Sequence, residues 1–200
     1  MREEQRAVLI IASRLLSYPA ENVWAEVLEI QTCIRECIDS KALRIELSQA
    51  AAAFLALPHT ELQEQYVATF DLRENTGLYL TAHELGDSRK RGMALVELQN
   101  LLKENGYQPP EGELADYIPM LCELLAAGED SPPLQQLKGR LAVAVKRIWE
   151  HLPEDSLYRP VFAALTRAVF GEPAANDIAE AERGRETADL DPLPYPLMYL

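Results

Sequence analysis

The stretch YVATFDLRENTGLYLTAHELGDSRKRGMALVELQNLLKENG, Tyr66 to Gly106, decides how the chain folds. Its apolar residues return every three or four positions, the period of a helix and not of a strand. One helix is predicted over 74–85. Gly86 suits the left-handed position just past a helix end and Asp87 suits the cap of the next helix, so LGDS reads as a tight corner. A second helix then runs to Asn105 and stops at Gly106. On it Ala94, Leu95, Leu98, Leu101 and Leu102 cover about a third of the circumference, with Met93 and Val96 on the other side. Apolar residues on two sides predict a helix near the centre of a bundle.

Working outward, the same period predicts helices over 3–17, 22–38 and 42–57, the last being ALRIELSQAAAAFLAL ahead of Pro58. Asn22 is the expected cap of the second. Thr60, three residues before Gln63, has the spacing of a capping box and opens a fourth helix through Phe70. Beyond the YQPPEG loop, a helix over 113–127 carries Pro119, which either kinks it or marks the first turn of a shorter one. Two more follow over 133–151 and 155–170. No run of alternating β-branched residues is long enough for a strand. The fold class is all-α: residues 1–170 form a single-domain bundle of about nine helices, and 171–200 form an acidic, flexible tail whose PYPLMYL ending is free to fold back.

Composition narrows the function. Hydrophobic residues are 48% of the 200, enough for a full core, and aromatics only 7%, which favours helix on helix. There are 32 acidic against 19 basic residues, a formal charge of -13. Nucleic-acid binding needs the opposite sign, whereas an acidic surface attracts a basic polypeptide. The start, MREEQRAVLIIASRLLSYP, has an apolar run far below the roughly 20 residues of a membrane span, so neither anchor nor targeting signal is expected there. Cys33, Cys37 and Cys122 are odd in number and read as thiols of a reducing compartment, not as a disulfide framework.

Catalytic patterns are thin. His59, His83 and His151 lie on three segments without metal-ligand spacing, and no nucleophile elbow or phosphate-cradling glycine loop occurs. The expected sets of catalytic and metal-binding residues are therefore both empty. His83 stands one turn from Tyr79 and Asp87, where it would bind a ligand or sense pH, or serve a structural role. Arg89 and Arg91 would grip a carboxylate. They also crowd the positive end of their helix, so an acid such as Asp87 or Glu113 should compensate.

Four blocks, YVATFDL, LYLT, GDSRKRGMALVEL and ELADYIPMLCEL, together resemble the NarJ family, the delta-subunit assembly chaperones of membrane-bound respiratory nitrate reductase, within the broader TorD/DmsD-like group. The resemblance spans about residues 5–170 and is most specific over 66–125. Ala115 departs from the family's usual proline, and the tail only loosely matches the family's ending. The resemblance implies an all-helical, non-catalytic, cytoplasmic chaperone. It would bind the N-terminal segment of the catalytic (alpha) subunit until the molybdenum cofactor and iron–sulfur centres are in place, carrying neither itself. Molybdenum cofactor delivery proteins extend the implied partners; nucleic acid and membrane insertion do not belong among them.

An acidic bundle with an apolar groove would suit a basic amphipathic leader helix. Tyr66, Phe70, Leu78, Tyr79, Ile118 and Leu121 are the expected apolar floor. Asp71, Glu74, Glu84, Asp87, Asp116 and Glu123 are the expected acidic complement, with Tyr117, His83, Arg89 and Arg91 beside them. Two rival readings remain: a chaperone for a different molybdoenzyme, and a helical ligand-binding protein or enzyme built on Asp87, Arg89 and Arg91.

Overall fold

Val8, Ala12 and Leu15 fall at helical spacing and become the inward stripe of α1 (Glu3–Leu15), almost wholly shielded from water. The computed structural model describes residues 1–189, and around α1 it builds an all-α bundle. α2 (Val23–Cys37) packs on α3 (Lys41–Ala56), and α4 (His59–Tyr66) follows after Pro58. α5 (Leu80–Leu85), α6 (Arg91–Glu104), α7 (Ile118–Ala127), α8 (Pro132–His151) and α9 (Arg159–Leu165) complete the part read as the bundle. α1 lies chiefly on α7, while α9 joins α1, α3 and α8.

The central helix is α7, not α6. Eight of its ten residues, from Ile118 to Ala126 with Glu123 excepted, are buried, the pattern of a helix surrounded by others. On α6 only Leu98 and Leu102 are buried, and Met93 and Val96 are 66% and 55% exposed. A second apolar face fits a central helix or an edge helix that shows one face to solvent, and α6 is the latter.

Several boundaries move for local reasons. The expected helix over 74–85 splits into a single tight turn, Glu74–Thr76, an extended link through Tyr79, and the short α5. The expected helix over 113–127 starts only at Ile118, with Pro119 in its first turn where a missing N–H costs nothing. The helix over 155–170 begins at Arg159 and ends in a wide π turn, Thr166–Phe170, matched by another, Val67–Asp71, after α4. Pro58, not Thr60, precedes α4. Asn22 holds the N-cap position of α2 as expected, but its side chain makes no cap bond; its amide donates to Glu26 at 2.8 Å. Asp87 is exposed and caps nothing, because Ser88 to Lys90 make one more turn before α6, with Ser88 Oγ accepting from Lys90 N at 3.2 Å. Gly86 does take the positive φ, 54°, that its position predicts.

Within the segment read as an acidic tail lies α10 (Ala175–Asp189), resting on α5 and α8. It comes very close. A Cβ on Gly184 would stand 2.7 Å from the Glu84 carbonyl oxygen, and one on Gly139 of α8 would stand 2.8 Å from Asp177 Oδ2. PYPLMYL lies outside the described residues.

Three arginines donate to carbonyls at helix ends. Arg6 donates to the Ala126 and Gly128 carbonyls at the end of α7, Arg44 to Ile38 O after α2, and Arg159 to Trp149 O and Leu152 O after α8. Cations there offset the negative ends of the helices. Cys122 is buried in α7, and burial, then Glu123, pushes its thiol up to about 12. Cys33 is half-buried; burial first, then Cys37, pushes it up to about 11. Among the described residues no helix is long and apolar enough to cross a membrane.

The edge position of α6 has a measurable consequence. Met93→Gln and Val96→Gln should each change unfolding free energy by less than about 0.5 kcal/mol. Leu98→Ala, one turn away on the buried face, should cost about 2–5 kcal/mol. Urea midpoints of the three variants check this, and equal losses would return α6 to the core.

Candidate functional site

Two of the sequence blocks meet through their backbones. The Leu80 N–H donates to Asp116 O and the Ile118 N–H to Leu78 O, both at 2.9 Å, so Tyr79 and Tyr117 face each other across an antiparallel bridge. The link from Gly77 to Tyr79 is extended because Thr76 ends its turn by donating its hydroxyl to Thr69 O. Each half of the bridge then feeds straight into a helix, α5 or α7.

Aromatic side chains gather on the bridge. The Tyr79 and Tyr117 rings lie 5.7 Å apart, and the Tyr79 hydroxyl donates to Glu113 Oε1 at 3.1 Å. Tyr117 and Tyr66 share a hydroxyl–hydroxyl bond of 3.1 Å, and the Tyr117 hydroxyl also lies 3.4 Å from Leu16 O. Tyr66 meets Tyr18 and Phe70 edge-on at 5.3 and 5.1 Å, and Phe70 meets Tyr158 at 4.6 Å. The row runs from half-exposed Tyr18 into the core. Burial is the first cause that raises the phenols of Tyr66, Tyr79, Tyr117 and Tyr158 above their ordinary range, with Tyr117, Glu113 and other neighbours adding to it.

Beneath the bridge sits a fully buried carboxylate, Asp116. Its Oδ2 accepts from the Thr81 hydroxyl and from Thr81 N at 3.2 Å, and it lies 3.5 Å from Arg91 Nη2. Arg91 Nε in turn donates to Thr81 Oγ1 at 3.0 Å. One charge pair therefore ties the first turn of α6 to the bridge and to α5. The acid that compensates Arg91 is Asp116, where Asp87 or Glu113 was expected. Asp116 Oδ1 has no hydrogen-bond partner among the described residues.

The structure thus brings together Tyr66, Phe70, Leu78, Tyr79, Arg91, Asp116, Tyr117 and Ile118. His83 is buried beside them, its Nε2 2.7 Å from Gly77 O, and not against Asp87. Leu78, Ile118 and Leu121 are core side chains supporting the face from below. Asp71, Glu74, Asp87 and Arg89 are exposed, and Asp87, Arg89 and Arg91 form no common cluster. Glu84 is held by Arg140 through both carboxylate oxygens, each at 2.7 Å. Glu123 belongs elsewhere, accepting from Ser13 Oγ at 2.7 Å and lying 3.7 Å from Arg14 Nε. Sequence reasoning missed Thr81 and Tyr18. The signal for Thr81 was a lone hydroxyl inside the apolar LYLTAHEL block.

Chemically the face offers protonated phenols, exposed carboxylates and exposed apolar Leu72 and Leu114. No group of three or more His, Cys, Asp or Glu that could hold a metal occurs among the described residues.

Two outcomes are expected. Arg91→Ala strands a buried carboxylate and should cost about 3–5 kcal/mol. Asp116→Asn keeps an acceptor for Thr81 N–H and should cost about 1–3 kcal/mol; urea unfolding that reverses this order would remove Arg91 as the countercharge. The phenols set an alkaline limit. Their folded values exceed the unfolded value near 10, so the stability they contribute is complete below about pH 10 and is lost as pH rises through the folded values. Phenolate absorbance of these four of the eight tyrosines should appear together with loss of helical dichroism; earlier ionisation would place them in solvent.

Comparison with known proteins places this architecture. The model of the nitrate reductase delta subunit family matches residues 38–154, which include both halves of the bridge and Arg91. The probable nitrate reductase molybdenum cofactor assembly chaperone NarJ of Bacillus subtilis (strain 168) is 37% identical over 117 residues, 58% of this chain but 63% of that protein, under two thirds of its length. The nitrate reductase molybdenum cofactor assembly chaperone NarJ of Escherichia coli (strain K12) is 30% identical over 191 residues, 92% of this chain and 80% of that protein. The nitrate reductase-like protein NarX of Mycobacterium tuberculosis (strain ATCC 25618 / H37Rv) is 33% identical over 104 residues, 52% of this chain and 16% of that protein.

Proposed function

The chain belongs to the nitrate reductase delta subunit family, and on that premise we propose that it is a cytoplasmic, non-catalytic chaperone for assembly of a respiratory nitrate reductase. It holds the N-terminal leader segment of the apo catalytic subunit until the molybdenum cofactor and iron–sulfur centres are in place. Those groups belong to the client and not to the chaperone. The observation that carries the reading is the family match over the bridge, Tyr66 and Phe70 of the aromatic row, and the Arg91 latch, with relatives whose names are those of assembly chaperones.

The physical surface supports it. With three arginines donating to helix-end carbonyls and a formal charge of -13, the outer surface attracts a basic segment over long range. Tyr18, Tyr79, Tyr117, Leu72 and Leu114 supply apolar and hydroxyl contacts, and Asp71, Glu74, Asp87 and Glu113 supply charge around them. Leu78, Ile118 and Leu121 act by holding this face rigid. Occupancy is the mechanism: while the leader is bound, premature docking of the client on the membrane is blocked.

Calorimetric titration with a synthetic leader peptide tests this. The expected affinity is micromolar to tens of nanomolar, about -8 to -10 kcal/mol, tight enough to hold and weak enough to release. It should fall steeply as salt rises from low to physiological strength. No heat and no displacement at high peptide concentration would end the reading.

A further inference from the structure

α10 is an electrostatically awkward occupant of the place where it lies. Among its described side chains the partly buried ones are Asp177, Ile178, Ala181 and Gly184: one acid, one large aliphatic residue and two of the smallest residues. Between it and the bundle remains a cavity of about 310 Å³, lined by Glu84 and Leu85 of α5, Glu97 of α6, Arg140 of α8, and Asp177 and Glu180 of α10. Four acids thus surround one arginine. Burial works against the Arg140 charge, but the Glu84 bond and then the charges of Glu84, Glu97 and Glu180 outweigh it, so its net shift is upward. Around this cavity the carboxylates of α10 face Glu84 and Glu97 across Arg140, with one close backbone approach at Gly184 and one close side-chain approach, Asp177 on Gly139.

The space continues past α10. A second cavity of about 330 Å³, sharing Glu97, Gln136 and Arg140 with the first, runs along α6 and α8 over Leu98, Leu101, Pro133 and Leu137 to Glu104. The exposed Met93 and Val96 stand along the outer edge of α6. The trough has apolar walls and a carboxylate rim, while its present cover fills it poorly. α5 connects it to the aromatic face: Tyr79 precedes the helix and Leu85 ends it, six residues or about 9 Å of helix.

We propose that the α6–α8 trough receives a basic amphipathic helix, and that α10 is the chain's own displaceable cover over one end of it. This rests on the proposed function and deepens it, since the helix is then the helical part of the client's leader, anchored by aromatic contacts near Tyr79 and extended across Glu84, Glu97 and Glu104. Self-coverage lowers apparent affinity by the fraction of time the trough is shut.

Three full-length variants, titrated with the synthetic leader peptide, test the assignment. Gly184→Leu drives a side chain into the Glu84 carbonyl and loosens α10, so binding should tighten by roughly three- to tenfold. A G139C/D177C pair, made with Cys33 and Cys37 replaced by serine, should clamp α10 when oxidised and weaken binding about tenfold, with recovery on reduction. E97K/E104K, at two exposed positions, should weaken binding by more than about tenfold with its thermal midpoint retained. Oxidation and reduction of one folded sample separate a clamp effect from misfolding. If the unaltered chain binds the peptide and none of the three variants differs from it, the trough assignment falls while the leader reading stands. If no form of the chain binds, both fall.

Discussion

The Leu78–Leu80 and Asp116–Ile118 backbones exchange two hydrogen bonds, and directly below them a carboxylate shut off from water faces a single guanidinium. A helical bundle can pack apolar stripes in more than one register, but a buried charge has one acceptable location for its counterion. Placing Asp116 at the start of α7 therefore places Arg91, and with it the start of α6. Thr81 completes the arrangement from α5 by donating through both backbone and hydroxyl. Three helices, α5, α6 and α7, are thereby registered by a group of five polar atoms. Burying such a pair adds little net stability, because desolvation offsets the Coulomb attraction. What it supplies here is position.

Fixed position also stiffens the bridge face. The bridge sets Tyr79 against Tyr117, and their hydroxyls are occupied by Glu113 and Tyr66. Ordered aromatic groups lose little rotamer freedom on binding. The supporting Leu78, Ile118 and Leu121 are wholly within the core, so the face cannot sink when pressed. Away from this rigid patch three arginines, Arg6, Arg44 and Arg159, donate to helix-end carbonyls.

How much of this was legible follows from what each residue had to reveal. The stripes of α1 and α8 were plain, since aliphatic residues repeat there at helical steps and all face one way. Gly86 announced its turn by needing a positive φ. Pro119 left two readings open, and the backbone took the first-turn position. The two faces of α6 misled, because periodicity reports which residues share a side and says nothing about what stands opposite. The extended link at Gly77–Tyr79 is too short to show alternation. α10 was invisible for a different reason: Ala181 and Gly184 pack by closeness and not by apolar area, and a hydropathy pattern weighs only the latter. In the site, Tyr66, Phe70, Tyr79, Tyr117 and Arg91 stood in the quoted blocks, whereas Tyr18 and Tyr158 lie outside them. The partner of Arg91 was misassigned because sequence proximity favoured Asp87, whereas the bridge brings Asp116 from the other side of a loop.

The suppressed thiols carry one last implication. A thiol must lose its proton before it can grip a soft metal or attack an oxidised sulfur. Cys33 and Cys122, held well above neutrality by their surroundings, stay protonated at the pH of a cell. Two of the three thiols are in this way poorly disposed to grip a soft metal or to attack an oxidised sulfur.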